Sequence, residues 1–337
     1  MRLLVLSVFL LPGVCHADLV PTDFEQYQLE LLNRARADPN AEVARLSSLT
    51  WGNTGSPATP SLNEGLAPGT ITSAAKQPLA FNVKLIDAAR TYSSALLAAD
   101  AFTHTLGGSN PQSRMTAEGY TFNASFTLGE NLAVTASSGP HIVSTAVAAE
   151  HYNNLFVDGD VAGRGHRISM MNPNFREVGI GMAAGAGYTL FGPSLNAVIT
   201  TQDFATSTSE SPNPFLTGVI FQDNVLADNF YTPGEGLAGV TITAFFNNTS
   251  TVAGSVIDFS AGGYSLGLAS GTYDIVMTHG TLGMALFPDI AIAGFNVKLD
   301  ARNTNFSPVP EPSTYALMAV VGMAAAVYRR RTASAVS

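Results

Sequence analysis

The sequence predicts an α+β protein: an α-β-α sandwich, then a small all-β sandwich, then a C-terminal hydrophobic helix. Three observations carry this. Helix-period segments come first and glycine-punctuated β segments follow, which suits a layered domain. After a Ser/Thr/Pro-rich stretch at Thr206–Pro214 the hydrophobic period changes to two. Near the end, the uncharged run of 14 residues from Tyr315 to Tyr328 stops at Arg329, Arg330 and Arg331.

Met1–Ala17 has a positive start at Arg2 and an apolar stretch from Leu3 to Leu11. Pro12 and Gly13 then break it, and small residues follow at Cys15 and Ala17. This is the pattern of a secretory signal segment. The segment 18–205 reads as the first domain. In Asp23–Ala37, Phe24, Tyr27, Leu29, Leu31 and Leu32 make an approximate helical face, and Asp38-Pro39 ends it. Ser47–Gly69 is rich in Gly, Pro, Ser, Thr and Asn and reads as a long surface loop. Helical spacing returns at Phe81–Phe102, and Ser144–Phe156 is a third helix. Strands are expected at Glu177–Met182, Tyr188–Phe191 and Ala197–Phe204. The segment 206–214 reads as a linker. In 215–303, short alternating runs around Val219, Val240, Gly254, Tyr264, Tyr273 and Ile290 are separated by Gly and Asn clusters, as in an all-β sandwich. The segment 304–337 remains as a tail.

Composition narrows the function. The 337 residues carry 16 basic and 25 acidic side chains, a formal charge of -9. An acidic chain lacks the basic footprint that nucleic acid requires, so nucleic acid is excluded as a partner. The single cysteine, Cys15, falls in the signal segment. Its removal leaves no thiol for disulfides, zinc ribbons, iron–sulfur clusters or a cysteine nucleophile.

Chemistry-bearing residues gather in four ordered motifs of the first domain: Asp100-Ala-Phe-Thr-His104-Thr, Gly129-Glu130-Asn131-Leu132, Gly165-His166-Arg167 and Met170-Met-Asn172-Pro173 through Val178-Gly179-Ile-Gly181. Together they resemble the CAP superfamily, also called the SCP-like domain, over about residues 20–205. The resemblance implies an α-β-α sandwich with a cleft holding two histidines and two glutamates. By motif, His104 and His166 carry over as the histidines and Glu130 as the first glutamate; Glu150 is the best match for the second. Adjacent residues on a helix do not share a face, so Glu150 and His151 are not expected to serve one site together. Asn172-Pro173-Asn174 reads as a turn, Met170-Met171 as core, and the Gly179/Gly181 pair as a place of close backbone packing.

Two neutral imidazoles can hold zinc or another divalent cation. Carboxylates can complete the shell, orient the rings or take a proton from metal-bound water. His104 and His166 are therefore the expected metal ligands. The main expectation is a binding module for a divalent cation or small ligand. One alternative is a metal-dependent extracellular hydrolase with Glu130 as general base. A second, suggested by the wider family, is lipid or sterol binding.

In the second domain, Phe221-Gln-Asp223-Asn224 to Glu235-Gly-Leu-Ala-Gly-Val240 resembles prealbumin-like or serine-aspartate-repeat B-type modules, some of which bind calcium. Asp223, Asp228 and Glu235 are the candidate calcium ligands here. The spacing lacks an Asp-x-Asp/Asn-x-Asp/Asn-Gly loop, which argues against a bound calcium. In the tail, Val309-Pro310-Glu311-Pro312, an apolar run and Arg329–Arg331 resemble the PEP-CTERM sorting signal. This resemblance implies transient insertion in the inner membrane, cleavage near Pro310-Glu311-Pro312 by an exosortase-type enzyme, and delivery to the cell surface or extracellular matrix. Envelope or matrix components are the partners expected there.

Overall fold

The computed structural model describes residues 21–51, 56–57, 61–159, 161–190 and 192–308. The signal segment and the Pro310-Glu311-Pro312 motif with its apolar run and arginines lie outside the described residues.

The chain opens with helix α1 (Asp23–Ala37). A capping box starts it: the Thr22 hydroxyl accepts from Glu25 N, and the Glu25 carboxylate accepts from Thr22 N. Helix α2 (Pro39–Ser47) follows after Asp38, whose side chain caps its first turn. A two-residue pair, β1 (Thr50–Trp51) and β2 (Ser56–Pro57), sits in the loop region. Strand β3 (Ala80–Phe81) leads to α3 (Val83–Ala98), and α4 (Pro111–Ala117) comes next. Strand β4 (Thr127–Ser137), α5 (Thr145–Val157), α6 (Gly165–Met170), β5 (Glu177–Tyr188) and β6 (Leu195–Thr206) complete the first unit.

The four strands lie in the order β3-β5-β6-β4, with β3 parallel to β5 and the other pairs antiparallel. One face carries α3 and α4, packed through Leu85, Ala88, Tyr92, Leu96 and Leu132. The other carries α1, α2, α5 and α6, where Leu32, Leu46, Tyr152, Phe156 and Ile180 form the larger core. This is an α-β-α sandwich.

Gly179 and Gly181 explain how closely α3 lies on the sheet. A Cβ on Gly179 would stand 1.9 Å from Leu85 C, and one on Gly181 would stand 2.2 Å from Arg90 N. The helix backbone rests directly on the strand, as the glycine pair predicts.

Beyond Thr206 the chain builds two facing sheets. One has the order β10-β7-β13, with β14 also paired to β7; the other has the order β12-β11-β8-β9. The strands are β7 (Phe215–Phe221), β8 (Thr241–Phe246), β9 (Val252–Ile257), β10 (Gly263–Gly267), β11 (Gly271–His279), β12 (Gly283–Ile292), β13 (Val297–Lys298) and β14 (Ala301–Arg302). Alternate residues such as Ile242, Ala244, Ile275 and Met277 fill the space between them.

The segment 206–214 is not a free linker. Ser211 donates to Glu177 Oε1 at 2.7 Å, Lys84 pairs with Glu210 at 2.7 Å, and Ser207 donates to Thr121 O at 2.7 Å. Buried Glu177 also accepts from Asn82 and from the Tyr120 hydroxyl, each at 2.7 Å. A Ser/Thr/Pro-rich composition signals low apolar content, but here the hydroxyls and Glu210 find partners on the sandwich.

Candidate functional site

The site is built around the edge strand β4. Glu130 and Asn131 are neighbours in it and point to opposite faces of the sheet. On the α3/α4 face, Glu130 is the hub. Its Oε1 lies 2.6 Å from His104 Nδ1, and its Oε2 accepts from Arg114 Nη2. The Glu130 side chain is 1% exposed, whereas His104 is 48% exposed. Tyr92 of α3 fixes the His104 loop. Its hydroxyl donates to Thr103 O and accepts from Leu106 N. The Arg114 guanidinium stacks on the Tyr92 ring, 3.4 Å from its centroid, and donates to His104 O at 3.1 Å. Below Arg114 lies a cavity of about 180 Å3, lined by residues including Ala88, Ala95, Leu106 and Glu118.

Asp203 of β6 is paired across the sheet with Glu130 and is fully buried. No N–H or hydroxyl donor reaches either of its oxygens among the described residues, and its one side-chain neighbour within hydrogen-bonding range is the Glu130 carboxylate. Burial first, and then the Glu130 charge, pushes its carboxyl well above the usual range, while Arg114 opposes the rise.

Asp158 holds the second histidine. Asp158 ends α5 in the left-handed region, at φ 52°. Its Oδ1 lies 2.7 Å from His166 Nδ1, and its Oδ2 accepts from His166 N at 2.9 Å. The Asn131 side chain reaches the same turn, donating to His166 O at 3.2 Å. Two buried arginines support this segment from below. Arg167 donates to Phe156 O and Leu62 O, and Arg36 donates to Met170 O and Asn172 O. Burial lowers the Arg36 pKa to about 9. Asn174 N donates to Asn172 Oδ1, so Asn172-Pro173-Asn174 makes an Asx turn.

The two histidines therefore share one arrangement. Each presents Nδ1 to a carboxylate whose side chain is 1% exposed. In a neutral ring Nδ1 then carries the proton, and Nε2 keeps its lone pair for a ligand.

Glu150 stands apart from this arrangement. It is exposed on α5. His151, its neighbour, is turned inward and buried. Its Nδ1 lies 2.7 Å from Thr200 Oγ1 and its Nε2 lies 2.8 Å from Thr135 Oγ1. His141 meets the same Thr135 oxygen at 2.8 Å. Desolvation first, and then His141, lowers the His151 pKa to about 3, which keeps it neutral. The carboxylate beside the second histidine is thus Asp158, not Glu150. The sequence motifs single out neither Asp158 nor Asp203. The available signal for Asp203 was a lone acidic residue inside the strand segment Ala197–Phe204. Among the described residues, no group of three or more His, Cys, Asp or Glu side chains is arranged to hold a metal.

The candidate calcium residues are occupied otherwise. Glu235 Oε1 accepts from the backbone N–H groups of Asn224, Val225 and Leu226, and Oε2 accepts from Thr232 N. Asp223 accepts from Asp228 N and Asn229 N, and Asp228 accepts from Phe230 N. These oxygens face N–H donors, which would repel a cation. Asp223, Asp228 and Glu235 are turn staples in the structure.

Comparisons with known proteins match two parts of the chain. The model of the "Cysteine-rich secretory protein family" (CAP) matches residues 29–204, and that of the "PEP-CTERM protein-sorting motif" matches residues 308–331. No curated protein sequence matches. One similar solved structure is described as the crystal structure of NaASP2 with Zn2+. It is 16% identical, with 56% of this chain and 83% of that chain covered, at a TM-score of 0.30. Another is an outer surface protein from Borrelia burgdorferi. It is 15% identical, with 38% of this chain and 77% of that one covered, at a TM-score of 0.24. The sorting motif indicates export to the cell surface through exosortase-type machinery. With its family model matched over more than half its length, the chain belongs to the CAP family.

Proposed function

We propose that this CAP protein is a surface-displayed binding module that takes a divalent cation, zinc for example, on His104 and His166. The observation that carries this reading is the shared anchoring of both rings. Each Nδ1 is tied to a buried carboxylate, Glu130 or Asp158, at 2.6 and 2.7 Å. Such anchoring fixes the tautomer and raises the basicity of the free nitrogen. Water would supply the remaining ligands, and the cation would present positive charge to an anionic envelope or matrix component. The second domain would serve as its platform.

The same geometry weighs against the two alternatives. A hydrolase needs a free base beside the metal, but Glu130 spends Oε1 on His104 and Oε2 on Arg114. A lipid or sterol needs roughly 300–1,000 Å3 of apolar pocket. The cavity below Arg114 is about 180 Å3.

Zinc titration of the mature protein by calorimetry tests the reading. One site is expected at pH 7.5, weakened about tenfold or more by His104→Ala and by His166→Ala, and lost in the double variant. Binding that survives the double variant refutes the assignment. Zinc-dependent hydrolysis of a peptide or ester panel that vanishes in His104→Ala would establish the hydrolase instead.

A further inference from the structure

More than a carboxylate holds the second histidine. Asp158 and Arg164 are both non-glycine residues in the left-handed region, at φ 52° and 48°, and they bracket the turn that carries the chain from α5 into α6. Glycine enters this region freely and aspartate or asparagine at modest cost, but arginine does not. Such backbone persists where the surrounding contacts over-determine it. Helix α6 also begins without a cap from its own N-cap residue, because the Arg164 side chain makes no capping bond. The Asp158 carboxylate takes that place: Oδ2 accepts from His166 N at 2.9 Å and lies 3.5 Å from Arg167 N. One carboxylate therefore caps the helix and orients the His166 ring, and the Asp158 backbone sets where it stands.

The Arg164 side chain fixes that backbone. It folds back over the turn, and Nη1 donates to Asp158 O at 2.6 Å, to Val161 O at 3.2 Å and to Gly159 O. The rest of the guanidinium meets Glu64, from a distant segment of the chain. Nη2 donates to Glu64 Oε1 and Oε2 at 2.7 and 2.8 Å, and Nε donates to Oε2 at 3.1 Å and to Glu64 O at 3.2 Å. All three nitrogens are thus engaged, with the Arg164 side chain only 11% exposed. Gly65 makes room for this: a Cβ there would stand 2.6 Å from Arg164 Nε, and its φ of +73° favours glycine. The Glu64 segment is itself closed, because Asn63 accepts from Ile71 N at 2.8 Å and donates to Ile71 O at 2.9 Å. A lysine at position 164 would supply the charge but not the planar fork that joins the two segments.

We propose that Glu64 and Arg164 are a positioning pair for His166. Glu64 holds the Arg164 fork, the fork holds the Asp158 backbone, and the Asp158 carboxylate holds the ring and its tautomer. What the ring is held for rests on the cation-binding reading; how it is held does not.

Nitrogen-15 NMR of the mature protein without metal tests the holding. The His166 Nδ1–H bonded to Asp158 is expected to give a slowly exchanging signal in the parent. The signal is expected to vanish in Arg164→Gln and Arg164→Lys, and to persist in Lys84→Gln, which breaks an ion pair elsewhere in the domain. Glu64→Gln keeps the side-chain shape and serves as the second variant should Arg164→Gln fail to fold. A ring signal that survives in folded Arg164→Gln or Glu64→Gln overturns the proposal. Zinc titration then separates positioning from general support. Arg164→Gln is expected to weaken binding about tenfold in the parent and in His104→Ala, and to change nothing in His166→Ala. Equal weakening in both histidine backgrounds overturns the route through His166. A parent that binds no zinc, but loses the ring signal in the variants, refutes the cation reading and keeps the positioning pair.

Discussion

Asp203 is the residue on which the histidine site depends most and which the sequence announces least. It faces the Glu130 carboxylate across the β4–β6 ladder, with no N–H or hydroxyl donor on either oxygen among the described residues. Glu130 already balances Arg114, so a second buried negative charge would have no counter-ion. The raised Asp203 pKa eases this by favouring the protonated, uncharged carboxyl. The sign follows from linkage. A carboxyl whose folded pKa lies above its unfolded value of about 3.9 favours the fold below that value and loses this contribution as pH rises through the folded pKa. Asp203→Asn keeps a donor and removes the titration. Its stability relative to the parent should therefore grow as pH rises above about 4. Urea unfolding midpoints between pH 4 and 8 measure this, and a difference that does not change with pH would show that Asp203 is ionised in the fold. Motif spacing could place Glu130 and His104, because each stands in a short recognisable run. It could not place Asp203 or Asp158, because their roles come from a ladder register and from a left-handed turn that local sequence does not fix.

At the scale of elements, legibility followed length and periodicity. Helices α1, α3 and α5 span several turns, and their apolar spacing predicts them within a few residues. Helices α4 and α6 have 7 and 6 residues, too few for a period to register. The cap signal for α4 was nevertheless present: Asn110 caps a helix that begins with Pro111. Strand β4 escaped because it is an edge strand whose residues are mostly half-buried, so its alternation is blurred. The glycine pair of β5 is the clearest reading, and it supports a prediction. At Gly181 a new methyl would stand 2.2 Å from the α3 backbone, where no side chain can yield. Gly181→Ala is expected to lose stability at the upper end of the ~1–3 kcal/mol range for overpacking. Gly185→Ala is the internal control, because its Cβ would meet the flexible Leu97 side chain at 3.5 Å. Equal urea midpoints for the two variants would show that α3 can shift away from the sheet at little cost.

At the scale of the whole molecule, the β-sandwich unit is docked on helix α1, and the contact is polar and buried. Lys298 of β13 pairs with Glu30 of α1 at 2.8 Å, and Gln26 donates to the same carboxylate at 2.8 Å. Asn296 donates to Pro78 O and Arg176 O, and Arg34 covers the Phe230 ring at 4.8 Å. Strand β10 also comes so near that a Cβ on Gly263 would stand 2.0 Å from Gln26 Oε1. The segment 206–214 reads in the sequence as a linker, but polar residues of α1 meet the second unit directly. Burial pushes the Glu30 pKa up, while the Lys298 charge opposes the rise. Lys298→Met would strand the Glu30 carboxylate. Breaking a buried pair from one side costs about 3–5 kcal/mol. Glu30 would then favour the fold only when protonated, so the loss should be largest at neutral pH and shrink as pH falls toward the ordinary carboxylate range. Calorimetry is expected to show one unfolding transition in the parent and two in Lys298→Met at pH 7, merging again in Glu30→Gln/Lys298→Met. A single transition in every variant would show that Lys298 and Glu30 do not couple the units, and that the coupling runs through Asn296 and Gly263 instead.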